Sequence, residues 1–292
     1  MEPLVNEIDE LLRGSIDLHI HCGPVAGEYR HDAFELAEQA RNAGMRAVVY
    51  KDSGYLTAPI AEMINRRMPD FTVVGSITLN DFHGGLNPEA VETAAGLGTK
   101  VVWMPTQSAA NSIAKFKAMG IPLKGEGISL LDGEGRLRRE LGPILELVRD
   151  RDMVLATGHI SPREALPLVR MAHDMGIRRI LLTHPFHSEA VESETFTMDE
   201  VMECVKLGAV IEHTFVFHLP TEFSVDPAET ADYIRRTGAE HNVISTDLGL
   251  FTYNPTPVEG MRMFIATLLR QGFTAAEVEQ MAKRNPAALL GL

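Results

Sequence analysis

Residues 153–185 read MVLATGHISPREALPLVRMAHDMGIRRILLTHP. Two short apolar runs, Met153–Ile160 and Arg179–Pro185, flank a stretch with helical periodicity, Pro162–Met175. Proline opens that stretch at its first turn, where a missing N–H is harmless, and Gly176 follows as a stop. A run, a helix and a second run within about 30 residues make a βαβ unit, whose two strands lie parallel.

The same punctuation recurs on both sides. Upstream runs are Ser15–His21, Arg46–Ser53, Thr72–Asn80 and Lys100–Thr106; downstream runs are Ala209–Phe215 and Val243–Gly249. Most are nearly continuous in apolar residues, as suits parallel strands covered on both faces. Helical patterns fall between them at His31–Ala43, Pro88–Leu97, Leu137–Asp152, Met198–Leu207 and Pro227–Thr237, with Thr274–Arg284 last. Eight strand-type runs alternating with helices predict an α/β fold, a single (β/α)8 TIM barrel over residues 1–292. An open doubly wound sheet is the competing arrangement for the same alternation. The connection 109–139 is longer than the others, and its DGEG tetrad, Asp132–Gly135, predicts a β-hairpin insertion after strand 4.

Composition narrows the function classes. The chain has 292 residues, 45% hydrophobic and 23% charged, as in an ordinary globular protein. Its net charge of −13 disfavours phosphate backbones and anionic lipid, so neither nucleic acid nor membrane is an expected partner. No stretch reaches the about 20 consecutive apolar residues of a membrane span. The acidic segment MEPLVNEIDELLRGS lacks the apolar run of a signal peptide. Only Cys22 and Cys204 are present, without a CxxC pair, which excludes a disulfide scaffold and a cysteine-rich zinc site. A cytoplasmic location is the expectation; self-association stays open.

The eleven histidines are unevenly placed. His19 and His21 end the first run, His159 the fifth, His184 the sixth, and Asp247 ends the eighth. In a parallel barrel the C-terminal strand ends converge on one volume, so these five groups are expected around a shared divalent cation. Alternate strand residues face one side, so both imidazoles of HIH reach the same ion while Ile20 packs against helices. Imidazole and carboxylate donors suit zinc first, with iron, manganese and cobalt also accommodated.

This pattern resembles the amidohydrolase superfamily, in DLHIHCGP at the first strand, TGH ending at His159, LTH ending at His184, STD ending at Asp247, and the close RNPAALLGL. The resemblance covers nearly the full chain. It implies a metal-dependent hydrolase with one or two ions, in which metal-activated water attacks an amide, ester or lactone bond of a small-molecule substrate. It implies further that His19 and His21 bind a buried metal, His159 and His184 a more exposed one, and that Asp247 is both ligand and general base. One departure stands out. The fourth strand ends WMPTQS and offers no bridging lysine or glutamate. Lys51, ending the second strand, takes that place as metal ligand or, carboxylated, as an anionic bridge; a substrate-binding or salt-bridged lysine is the alternative.

His83, beside Gly84–Gly85, and His213, in VIEHTF, are the candidate substrate-binding residues. Of Glu212 and His213, His213 is expected to face the axis. His187 and His218 read as loop residues, His173 and His241 as structural, Cys22 as packing, and Arg30 with His31 as a contact for an anionic substrate. A lyase such as a decarboxylase, a phosphoesterase, and a non-catalytic metabolite-binding barrel are the other functions compatible with the pattern.

Overall fold

The computed structural model describes residues 2–25, 28–121, 125–186, 195–221 and 223–292. The eight runs become nine strands among these residues: β1 Ile16–Ile20, β2 Ala47–Tyr50, β3 Thr72–Val74, β4 Ser76–Thr78, β5 Val101–Trp103, β6 Val154–Ala156, β7 Ile180–Leu182, β8 Ala209–Thr214 and β9 Asn242–Ser245. The third run is cut in two at Gly75, where a missing side chain weakens strand continuity.

The chain forms two compact units. The first comprises Met1–Lys51, Pro59–Gly75 and Glu212–Leu292. Its parallel sheet runs β1-β2-β3, Ile16 opposite Ala47 and Ala47 opposite Thr72. Leu12, Ile20, Leu36, Ile64, Phe264 and Ile265 meet in one buried core. The helices that supply this core are fastened at their starts. Asp32 with Glu35 caps Ala33–Asn42, and Thr256 with Glu259 caps Pro257–Arg270, each pair satisfying N–H groups that the first turn leaves open.

The second unit comprises Asp52–Ala58 and Ser76–Ile211. Its strands follow the order β4-β5-β6-β7-β8, all parallel. Trp103 is fully buried on β5. Helices Pro88–Gly96, Leu141–Asp150, Pro162–Asp174 and Met198–Lys206 lie in the stretches expected from periodicity. The inserted connection holds a helix, Ala110–Ala118, that the sequence did not announce. Of the hairpin, the described residues show a turn at DGEG closed by a single antiparallel bridge, Leu131 to Leu137. Glu164 pins the segment before it, accepting from the Leu130 N–H and the Ser129 hydroxyl at 2.8 Å each.

Helices Glu2–Leu12, Ala58–Arg67 and Pro257–Arg270 were also unanticipated. Among the described residues no helix is long and apolar enough to cross a membrane.

Candidate metal centre

In the first unit β1 carries Asp17 and His19, and His21 follows directly after it. The β1–β2 ladder slips between Asp17 and Ile20, and the His19 N–H there donates to Asp17 Oδ1 at 3.1 Å. Past β9 the chain turns alongside β1. The Asp247 N–H donates to the His19 carbonyl, and the His21 N–H to the Leu248 carbonyl, both at 2.8 Å. Asp247 takes a left-handed backbone conformation, φ 53°, which aspartate tolerates better than most residues. Gly249 follows at φ 114°; a Cβ there would stand 1.9 Å from the His21 carbonyl oxygen, so only glycine permits this approach.

These backbone contacts bring three side chains together. His19 Nε2 and His21 Nε2 each lie 3.0 Å from Asp247 Oδ1. One donor atom from each residue falls within 4.8 Å of the others, a grouping able to hold a metal ion. Ile20 meanwhile joins the apolar core, as alternation requires.

Two more carboxylates surround the group. Asp17 is fully buried; it also accepts from the Thr246 N–H at 3.0 Å and the Thr246 hydroxyl at 2.6 Å, so one side chain ties the backbones leading to His19 and Asp247. Burial pushes its carboxyl up to about 7, against the pull of those donors. Glu212, on β8, is also fully buried, with Oε2 3.3 Å from His19 Nδ1. Lys51 is buried at the end of β2, its N–H on the Ile20 carbonyl at 2.9 Å.

The electrostatics test whether a cation fits. Burial opposes a charge on His19, yet Asp247 and Glu212 carry its pKa up to about 9 in spite of Lys51. Burial and Lys51 hold His21 below its ordinary value. Burial alone would raise Asp247; the imidazoles of His19 and His21 hold it instead well below the usual carboxylate range. A pocket that favours a proton on a buried imidazole this strongly favours positive charge there, and its donors are of the kind divalent metals take. The residues fit a divalent ion.

The second unit brings His159 and His184 together, ring centroids 5.1 Å apart. Two threonines brace the strand ends that carry them. The Gly158 N–H donates to Thr183 Oγ1 and the Thr183 N–H to Thr157 Oγ1, each at 3.0 Å. Ser112 Oγ stands 3.3 Å from His159 Nδ1. A Cβ on Gly158 would sit 2.4 Å from the Met104 carbonyl oxygen, so this turn too admits only glycine. His184 has φ 29°, a conformation a histidine rarely adopts; such strain gathers where a side chain is held for use. His83 closes the turn Asp81–His83, half-buried, before two glycines of positive φ. A cavity of about 610 Å³ in this unit is lined by Asn111, Lys115, Ser129, Asp132, Ser161 and Arg163 among others; neither His159 nor His184 lines it.

Several sequence expectations change. His213 does not face the cluster: its Nε2 pairs with Asn242 Oδ1 at 2.8 Å, and burial drives its pKa down to about 4. Adjacent strand residues point to opposite faces, so Glu212 takes the inward place. Arg30 bonds the Asn254 carbonyl, and His31 lies 3.6 Å from Glu35 on the helix that follows it. His173 Nδ1 meets the Leu207 carbonyl at 2.9 Å and His218 Nδ1 the Val225 carbonyl at 3.2 Å, both bracing contacts. His187 lies outside the described residues. Asp17 escaped sequence reasoning altogether, although it shares the parity of His19 and His21.

Solved structures place this architecture in a class. An amidohydrolase from Pseudomonas aeruginosa is similar at TM-score 0.66 and 13% identity, over 97% of this chain and 98% of the other. A "probable dipeptidase PvdM" from the same organism is similar at 0.65 and 12%, over 99% and 98%. A 2,6-dihydroxybenzoate decarboxylase is similar at 0.56 and 12%, over 96% and 100%. These likenesses show the fold, an α/β barrel. The chain belongs to a family of unknown function, DUF6282, whose model matches residues 14–212. No curated protein matches the sequence.

Proposed function

We propose that the chain is a metal-dependent hydrolase acting on an amide, ester or lactone bond of a small molecule. One observation carries this: two imidazoles converge on the same oxygen of a carboxylate, in a pocket whose charges favour a cation. His19, His21 and Asp247 would hold the ion, most simply zinc. When bound, such an ion supplies Lewis acidity toward a carbonyl and makes water a better nucleophile at neutral pH.

The protein's own groups do the rest. Asp247, held ionised across the neutral range, is the acceptor for the proton that the attacking water gives up. Asp17 keeps the backbones before His19 and Asp247 in fixed relation, so donor and acceptor stay in register. Lys51 is buried beside the imidazoles; as a carbamate it would exchange a repelling charge for an anionic one and serve as a further ligand. His159 and His184 form a second pair of nitrogen donors for an additional ion. His83 is assigned a substrate contact. Cys22 and Cys204 are buried and not joined in a disulfide, which fits a reducing compartment, and the cytoplasm is the proposed location.

Elemental analysis of the purified protein, followed by turnover assays, tests this. The expected result is at least one equivalent of a divalent metal and hydrolysis somewhere in a panel of lactones, esters and amides. Carbon dioxide release from aromatic acids, without hydrolysis, would make the protein a lyase. Activity confined to phosphate esters would make it a phosphoesterase, and a protein without metal would leave only a binding role.

A further inference from the structure

Glu212 has no part in the chemistry just described, yet it is entirely buried against it. Burying a carboxylate is costly unless something offsets the loss of water. Its Oε2 lies 3.3 Å from His19 Nδ1, and its Oε1 is buried without a hydrogen-bond partner among the described residues. The other nitrogen of the same ring, Nε2, is 3.0 Å from Asp247 Oδ1. The two nitrogens of His19 therefore face two different carboxylates.

A neutral imidazole has one ring proton to place, and the partner of one nitrogen decides it. With the proton on Nδ1, the N–H donates to Glu212 and the Nε2 lone pair faces the point where His21 and Asp247 converge. The reverse tautomer would set a lone pair against a carboxylate oxygen and an N–H against an arriving cation. Glu212 stays outside the donor group itself, which comprises His19, His21 and Asp247.

We infer that Glu212 is a positioning residue: it holds His19 in the Nδ1–H tautomer with Nε2 presented to the metal, and raises the ring's strength as a ligand. This rests on the metal-centre assignment proposed above. Sequence could not supply it, since Glu212 and His213 are neighbours on a strand apolar on both faces, and only the fold decides which turns inward.

The experiment compares zinc binding by the unsubstituted protein, Glu212→Gln and Glu212→Ala, by competition with a chromophoric chelator. Glu212→Gln keeps the side-chain volume and guards against loss of folding. About a 10–100-fold loss of zinc affinity is expected in both variants. Long-range proton–nitrogen NMR of the zinc-loaded unsubstituted protein should show His19 protonated at Nδ1 and coordinated through Nε2. The tautomer signal is one that a merely structural carboxylate would not set. Unchanged zinc affinity in both variants, even with a lowered melting temperature, overturns the inference, and so does coordination through Nδ1. Failure of the unsubstituted protein to bind zinc, cobalt, manganese or iron overturns the metal centre itself and Glu212's role with it.

Discussion

Both units end strands in histidine pairs, but the pairs are held by different chemistry. His19 and His21 in the first unit stand among acids: Asp247 contacts both rings, Glu212 contacts His19, and Asp17 accepts from the His19 N–H. His159 and His184 in the second unit are braced through the hydroxyls of Thr157, Thr183 and Ser112. Acids create a demand for positive charge that a proton or a metal must meet. Hydroxyls fix geometry and leave the charge balance alone. The first pair is thus the expected seat of a tightly held ion, the second of a weaker, exchangeable one.

The largest effect that could sharpen or erase this contrast is on turnover. Asp247→Asn should lower kcat by about 10²–10⁴-fold with an unchanged circular dichroism spectrum, because the acceptor is lost while the fold remains. Normal activity in that variant would remove Asp247 from the mechanism. Metal stoichiometry comes next. His19→Ala or His21→Ala should empty the tight site, whereas His184→Ala should remove at most the weaker equivalent on dialysis against a mild chelator. Equal losses from both pairs would dissolve the distinction. Lys51→Ala should also lower occupancy, measured by elemental analysis; unchanged stoichiometry would assign Lys51 elsewhere.

The pH dependence is a finer test. In metal-stripped protein His19 holds its proton up to about pH 9, above its ordinary value of 6.5. A proton bound more tightly by the folded state stabilises it fully below about pH 6.5, and this stability is lost as pH rises through 9. A cation competes with that same proton, so zinc affinity at the first unit should strengthen with pH between about 7 and 9. A flat affinity profile across that range would place the proton elsewhere. The smallest expected effects are those of two glycines, one per unit. Gly249→Ala and Gly158→Ala should each destabilise by more than about 1 kcal/mol, read as a fall in melting temperature. Only Gly249→Ala should also weaken the tight metal, since its Cβ would collide with the His21 carbonyl.

Much of this was visible in the sequence, and the exceptions have physical causes. The HIH spacing fixed the shared side of His19 and His21 because parity along one strand is a local property. Which of Glu212 and His213 turns inward was not local: a strand apolar on both faces carries no marker of its inner side. Asp17 looked like a minor residue next to two histidines; its donors come from Thr246, a partner that only the fold supplies. The helix Pro257–Arg270 did leave a signal, since Thr256 and Glu259 spell a capping box. Of the hairpin, DGEG makes the turn legible but not the length of the strands beside it, because a turn sequence specifies the turn alone.

The bond from Thr246 to Asp17 joins positions separated by 229 residues, and His21 to Asp247 spans 226. A chain emerging from the ribosome owns both histidines 226 residues before Asp247 completes the ligand set. An ion held by this set would be captured only once Asp247 has been made, and would then stabilise molecules that carry all three ligands over those that do not, by mass action. Contacts of such long range also form slowly, which exposes apolar strands to neighbouring chains in the meantime. Yield of active protein during expression should therefore respond to metal in the growth medium.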